Sequence, residues 1–91
     1  MRGVAVLGST GSIGEATLQV IRRQSDRFRV VALTAGRNAE RLAEQREQWR
    51  PDYAALANGV GPGCLIEAAT HPEVDIVVNA EVRTLTRPAQ Y

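Results

Sequence analysis

The sequence predicts an α/β fold: an open sheet of about four parallel strands with flanking helices, incomplete as a domain. Three observations predict it. The apolar runs Gly3 to Leu7 and Val74 to Asn79 are continuous rather than alternating, as strands buried on both faces are. A stretch of helical periodicity separates the first of them from a second β-rich run, Phe28 to Thr34. The chain has 91 residues, which leaves room for one core and buries only about 60 to 65% of the unfolded surface.

The first strand spans Gly3 to Leu7 and ends at Gly8. From Ser12 the apolar positions Ile13, Ala16, Thr17, Val20 and Ile21 recur with helical spacing and define the expected inner face of a first helix, closed by Arg22, Arg23 and Gln24. Ser12 and Glu15 have the spacing of a capping box, which marks the helix start. Phe28 to Thr34 forms the second strand, before Ala35 and Gly36. Asn38 is a good cap for a second helix reaching about Arg50, with Ala39, Leu42, Ala43 and Trp49 expected inward and Pro51 as its stop. Tyr53 to Leu56 reads as a short third strand, Asn58 to Gly63 as turn chemistry, Leu65 to Thr70 as a short helix and Val74 to Asn79 as the fourth strand. The usual handedness of such connections gives the order 3-2-1-4. Residues 81–91 show no periodicity and read as an unstructured or divergent tail, so the predicted domain is 1–80.

With 44% hydrophobic and 23% charged residues the composition is that of an ordinary globular protein. A net charge of +1 argues against nucleic acid or a membrane surface as a partner. The single cysteine, Cys64, has no internal disulfide partner and no His/Cys cluster around it, so it reads as a reduced thiol in a cytoplasmic protein. No apolar run approaches the roughly 20 residues of a membrane span. The length is that of a piece of a two-domain enzyme, with no room for a catalytic region.

Gly8, Gly11 and Gly14 lie where a strand hands over to an amphipathic helix, the setting that a dinucleotide fingerprint requires and the mark of a Rossmann-like domain. Gly8 permits the tight turn, Gly11 lets the backbone approach a pyrophosphate and Gly14 lets the helix pack closely. The unpaired N–H groups of the first helical turn and the positive end of the helix dipole favour an anion there. Thr10, Gly11, Ser12 and Ile13 are the candidate contacts, against the plainer alternative of a glycine-rich turn with no ligand. An NAD-type site carries an acidic residue at the end of strand two. Here that place holds Arg37 and Asn38, which suit a 2′-phosphate, and the nearest acid, Glu40, lies a turn into the helix. NADP(H) is the expected cofactor. His71 reads as a surface histidine, Trp49 as packing and Asp75 as a structural residue at the far end of the sheet.

The segments Leu7 to Gly14, Phe28 to Leu33 and Ala35 to Asn38 together resemble the opening of the 1-deoxy-D-xylulose-5-phosphate reductoisomerases, and LGSTGSIG is the most specific of them. Pro51 to Leu56 and Leu65 to Ala80 are also similar to that family's cofactor domain. Between Leu56 and Leu65 a helix and a strand usual in the family are replaced by a Gly/Pro turn, which looks like an internal deletion. The resemblance implies an NADPH-dependent rearrangement and reduction to 2-C-methyl-D-erythritol 4-phosphate, in isoprenoid precursor synthesis. It also implies a divalent metal, Mg or Mn, in the full-length family, and a homodimer. Only nucleotide contacts carry over: Thr10, Gly11, Ser12 and Ile13 on the pyrophosphate side, and Gly36, Arg37 and Asn38 on the 2′-phosphate side. Asn79 and Ala80 fall toward the nicotinamide end, with their role left open by the altered loop beyond them. No catalytic residue and no metal ligand is matched, so the 91-residue chain alone is expected to be inactive. Two alternatives stand beside this reading: another NADP-dependent reductase, such as a semialdehyde dehydrogenase or an extended short-chain reductase, and a fragment or interaction module without a ligand. The bare apolar edge at Ile76 to Val78 further predicts self-association.

Overall fold

The computed structural model describes residues 1–56 and 63–80, with residues 63 and 64 described in their backbone only. Seven elements follow one another: β1 (Arg2–Leu7), α1 (Ser12–Arg23), β2 (Phe28–Ala35), α2 (Ala39–Trp49), β3 (Tyr53–Leu56), α3 (Gly63–Ala69) and β4 (Ile76–Asn79). The strands form one parallel sheet in the order β3-β2-β1-β4, as expected from the sequence. The turn, the internal deletion and the tail expected at 57–62 and 81–91, and the Cys64 thiol, lie outside the described residues.

β1 is buried from Gly3 to Leu7 and β2 from Val30 to Ala35, so the two central strands are covered on both faces. α1 and α2 cover one face, packing Leu18, Ile21 and Leu42 on Val4, Val6, Val30, Leu33 and Ala35. α3 covers the other, with Ala68 and Leu65 on Ala5, Leu7 and Ala32. On β2 the residues facing α1 and α2 change from even to odd numbers after Val30. The cause is a bulge: Val4 pairs with Val30 but Ala5 pairs with Ala32, so Val31 is an extra residue that resets the alternation. Gly3 lies beside the bulge, where a Cβ would stand 2.8 Å from a Val31 methyl and 2.0 Å from the Glu73 carbonyl oxygen. Asp75 closes this end of the sheet, its carboxylate accepting from Gly3 N–H at 2.9 Å and its N–H donating to Gly3 O at 2.7 Å. That is the structural task expected of Asp75.

The inner faces of both long helices differ from those expected. α1 buries Gly14, Leu18 and Ile21, whereas Ile13 and Val20 are 49% and 56% exposed. Gly14 sets this rotation: a Cβ there would lie 2.1 Å from Gly8 O and 2.7 Å from Ser9 Cα. The side of the helix without a side chain therefore presses on the loop, and Leu18 and Ile21 follow it inward. α2 buries Leu42 and Gln45 with Trp49 half-buried, while Ala39 and Ala43 face solvent. A buried glutamine breaks the apolar pattern that the sequence reading relied on. α2 ends as expected, with Arg50 in the left-handed region (φ 49°) ahead of Pro51. Trp49 packs against the core beneath the Arg22 guanidinium, 5.6 Å above its ring. His71 is a half-buried turn residue whose Nδ1 accepts from Glu73 N–H at 3.1 Å. Among the described residues no helix is long and apolar enough to cross a membrane.

Candidate functional site

The carboxyl ends of β1, β2 and β4 meet at one edge, because Leu7 pairs with Thr34 on one side and with Asn79 on the other. The chain leaves β1 through Gly8, whose φ of 83° is strained for any residue with a side chain. The Gly8 and Ser9 N–H groups both donate to Thr34 O at 2.8 Å, which ties the loop to the end of β2. Gly14 lies against the same loop from the helix side.

α1 begins with Gly11 as its cap residue, and no side chain caps it. The expected capping box is therefore absent. Glu15 is drawn away from the helix start by Arg41, which grips it with two N–H groups at 2.5 and 2.9 Å. With no capping side chain, the first N–H groups of the helix face outward at the loop, as an anion site needs. Gly11, Ser12 and Ile13 are exposed there and Thr10 is half-buried.

The glycines divide into two kinds. Gly8 is required by its backbone angle and Gly14 by the loop against it. Gly11 has an ordinary φ of −79° and a Cβ on it would meet only Gly8 O, at 3.8 Å. A Cβ on Gly36, which follows β2, would meet nothing within 4 Å. No atom of the described chain crowds a Cβ at either of these two glycines, and both open onto the same edge of the sheet.

Arg37 and Asn38 follow Gly36, and both are exposed. The Asn38 side-chain oxygen caps α2 by accepting from Arg41 N–H at 3.0 Å, which leaves its NH2 group to face outward. Two arginines stand at this end. Arg41 is committed to Glu15 and Glu44, while the Arg37 guanidinium has no partner among the described residues. The Arg41 guanidinium holds the Glu15 carboxyl below the usual carboxylate range, and Glu15 with Glu44 raises the pKa of Arg41 in turn. Arg41 is thereby fixed as a structural cation and Arg37 is left as the available one.

The structure thus brings the candidates together as two patches on one sheet edge: Thr10 to Ile13 at the mouth of α1, and Gly36 to Asn38 at the end of β2. Sequence reasoning missed what lies beneath them. Ser9 and Gln45 are fully buried, the Ser9 hydroxyl donating to Gln45 Oε1 at 2.7 Å and the Gln45 amide donating to Ser9 O at 2.9 Å. A signal was present, since Leu42, Gln45 and Trp49 share the spacing of one helix face. Among the described residues no group of three or more His, Cys, Asp or Glu stands close enough to hold a metal ion.

Residues 4–60 match the family model of 1-deoxy-D-xylulose 5-phosphate reductoisomerase. The enzyme of that name from Thermomicrobium roseum is 48% identical over 90 residues, covering 86% of this chain and 23% of the relative. That from Methylococcus capsulatus is 52% identical over 67 residues, covering 74% of this chain and 17% of the relative. Among solved structures, the reductoisomerase from Zymomonas mobilis in complex with NADPH aligns with a TM-score of 0.60 and 40% identity, over 86% of this chain and 21% of that one. A reductoisomerase in complex with NADPH, fosmidomycin and magnesium aligns with a TM-score of 0.62 and 25% identity, over 89% of this chain and 20% of that one. This chain therefore spans less than a quarter of the length of each of these relatives. With the family model matched over more than half of its residues and the same fold in the solved relatives, the chain belongs to the 1-deoxy-D-xylulose 5-phosphate reductoisomerase family.

Proposed function

We propose that this chain forms the NADPH-binding part of a 1-deoxy-D-xylulose 5-phosphate reductoisomerase, with residues 1–80 as a partial NADP-binding domain. The observation that carries the reading is the pair of glycines, Gly11 and Gly36, at which nothing in the fold crowds a Cβ. Each leaves room for a ligand against the backbone, one beside the orphan amides of α1 and the other beside an unpaired guanidinium. In this reading Thr10, Gly11, Ser12 and Ile13 hold the pyrophosphate, and Gly36, Arg37 and Asn38 hold the 2′-phosphate. When bound, NADPH supplies a hydride to the reduction. The residues of this chain bind and orient the dinucleotide, and a Mg or Mn ion acts in the whole enzyme with ligands outside the cofactor site.

The test is calorimetric titration of the chain with NADPH and NADH. Binding of NADPH at least tenfold tighter than NADH is expected from one charge-assisted pair at Arg37. Heat from neither nucleotide sinks the reading.

A second property rests on β4. Val77 is 43% exposed, and among the described residues no strand pairs with the outer side of β4. We propose that the chain self-associates through this edge, as open apolar edges do. Sedimentation at rising concentration checks it, and a monomer throughout refutes it.

A further inference from the structure

We infer that two bridges from α2, Gln45 to Ser9 and Arg41 to Glu15, fix the distance between the two phosphate-binding patches, making Gln45 and the Glu15–Arg41 pair positioning residues for recognition of a 2′-phosphorylated dinucleotide. The inference rests on the NADPH reading above and concerns residues that touch no ligand.

Ser9 stands under the first patch and spends every polar atom inside the fold: its N–H on Thr34 O, and its hydroxyl and carbonyl on Gln45. Gln45 belongs to α2, so the glycine loop is gripped by the helix whose start carries the second patch. Glu15, on the first turn of α1, is gripped by Arg41 of α2 through two hydrogen bonds, and the Gln45 amide adds to the lowering of the Glu15 pKa. Arg41 N–H donates to Asn38 Oδ1. Two separate bridges thus run from α2, one to the loop beneath the pyrophosphate mouth and one to the first turn of α1, and the start of the same helix is capped by the residue expected at the 2′-phosphate.

Packing alone does not require this arrangement. An apolar residue at position 45 would fill the space but leave the buried Ser9 hydroxyl and carbonyl without partners, so Gln45 holds the glycine loop by its hydrogen bonds and not by its volume. A fully satisfied polar network instead holds one relative placement of the parts it joins. A dinucleotide is a ligand of fixed span, and its second phosphate adds affinity only where the two patches are held at that span. NADH lacks the 2′-phosphate and so gains less from the second patch and from its spacing.

The test uses the 91-residue chain and compares dissociation constants for NADPH and NADH. In the double variant Glu15→Leu/Arg41→Leu the net charge is unchanged and the bridge is gone. NADPH binding is expected to weaken about tenfold while NADH changes less than about twofold. Equal losses for both, or no loss for either, overturn the inference and leave the cofactor reading standing. Absence of binding by the unaltered chain overturns the cofactor reading itself and this inference with it. Should the double variant fail to melt cooperatively, the unaltered chain decides through its amide hydrogen exchange with 2′-AMP as the probe. Occupation of the second patch is expected to slow exchange at Gly11 to Glu15, and unchanged exchange there overturns the coupling.

Discussion

At the scale of single residues, two neighbouring glycines are expected to respond in opposite ways. Gly14→Ala drives a Cβ to within 2.1 Å of a backbone oxygen, so it should cost at least about 1 to 3 kcal/mol of stability, measured by the urea midpoint. Gly11→Ala meets nothing closer than 3.8 Å and should move that midpoint by no more than about 1 kcal/mol, the loss of a favoured cap residue, while weakening NADPH. Equal destabilisation by the two would mean that Gly11 serves the fold after all. Arg37→Met should weaken NADPH about 10- to 100-fold and leave NADH unchanged, since only the pair with the 2′-phosphate is removed. The two patches were legible because each residue type there has a local chemical reason: a turn, an amide, a guanidinium. The burial of Gln45 was signalled by its helix face, but its role was not, because its partner Ser9 lies 36 positions away and only the folded chain brings them together.

At the scale of elements, the existence and order of all seven were readable, while the faces of the helices were so only in part: Ile21, Leu42 and Trp49 fall inward as expected and the rest of the expected stripes do not. On α1 the periodic residues Ile13, Ala16 and Val20 formed a convincing stripe, but the close approach at Gly14 outweighed it and turned that stripe to solvent. The capping box failed for a related reason. Glu15 makes two bonds to a guanidinium, and charge-assisted bonds of that kind are about twice as strong as the neutral one it would make to the backbone. This pairing has a pH signature. Because the folded pKa of Glu15 lies below its ordinary value of 4.5, its contribution to stability is complete above that value and is lost as pH falls through the folded pKa. The difference in urea midpoint between the natural chain and Glu15→Gln is therefore expected to be full at neutral pH and to shrink as pH falls below 4.5 and through the folded pKa. A difference that does not shrink on acidification would assign the effect to packing instead. Asn38→Ala removes the cap of α2 and should cost about 1 kcal/mol, read from the thermal midpoint.

At the scale of the whole molecule, parallel topology followed from continuous apolar runs and the handedness of the connections, and both are properties of short segments. The bulge at Val31 was invisible, since no local signal distinguishes an extra residue in a uniformly apolar strand. β1 lies in the middle of the sheet although it comes first in the chain, and its partner on one side, β4, is separated from it by most of the sequence: Val4 pairs with Ile76. On a ribosome, β1, α1 and β2 therefore emerge as a unit able to assemble early, with one flank of its first strand still bare. Closing so long a loop is slow relative to local contacts. Pulsed deuterium labelling during refolding should accordingly protect Val4 to Leu7 in two stages, early through β2 and late through β4, and simultaneous protection of both flanks would contradict this order. A polar or aggregation-resistant β1 is not an option for such a topology, so the interval before β4 arrives is the time at which this chain is most exposed to misassembly.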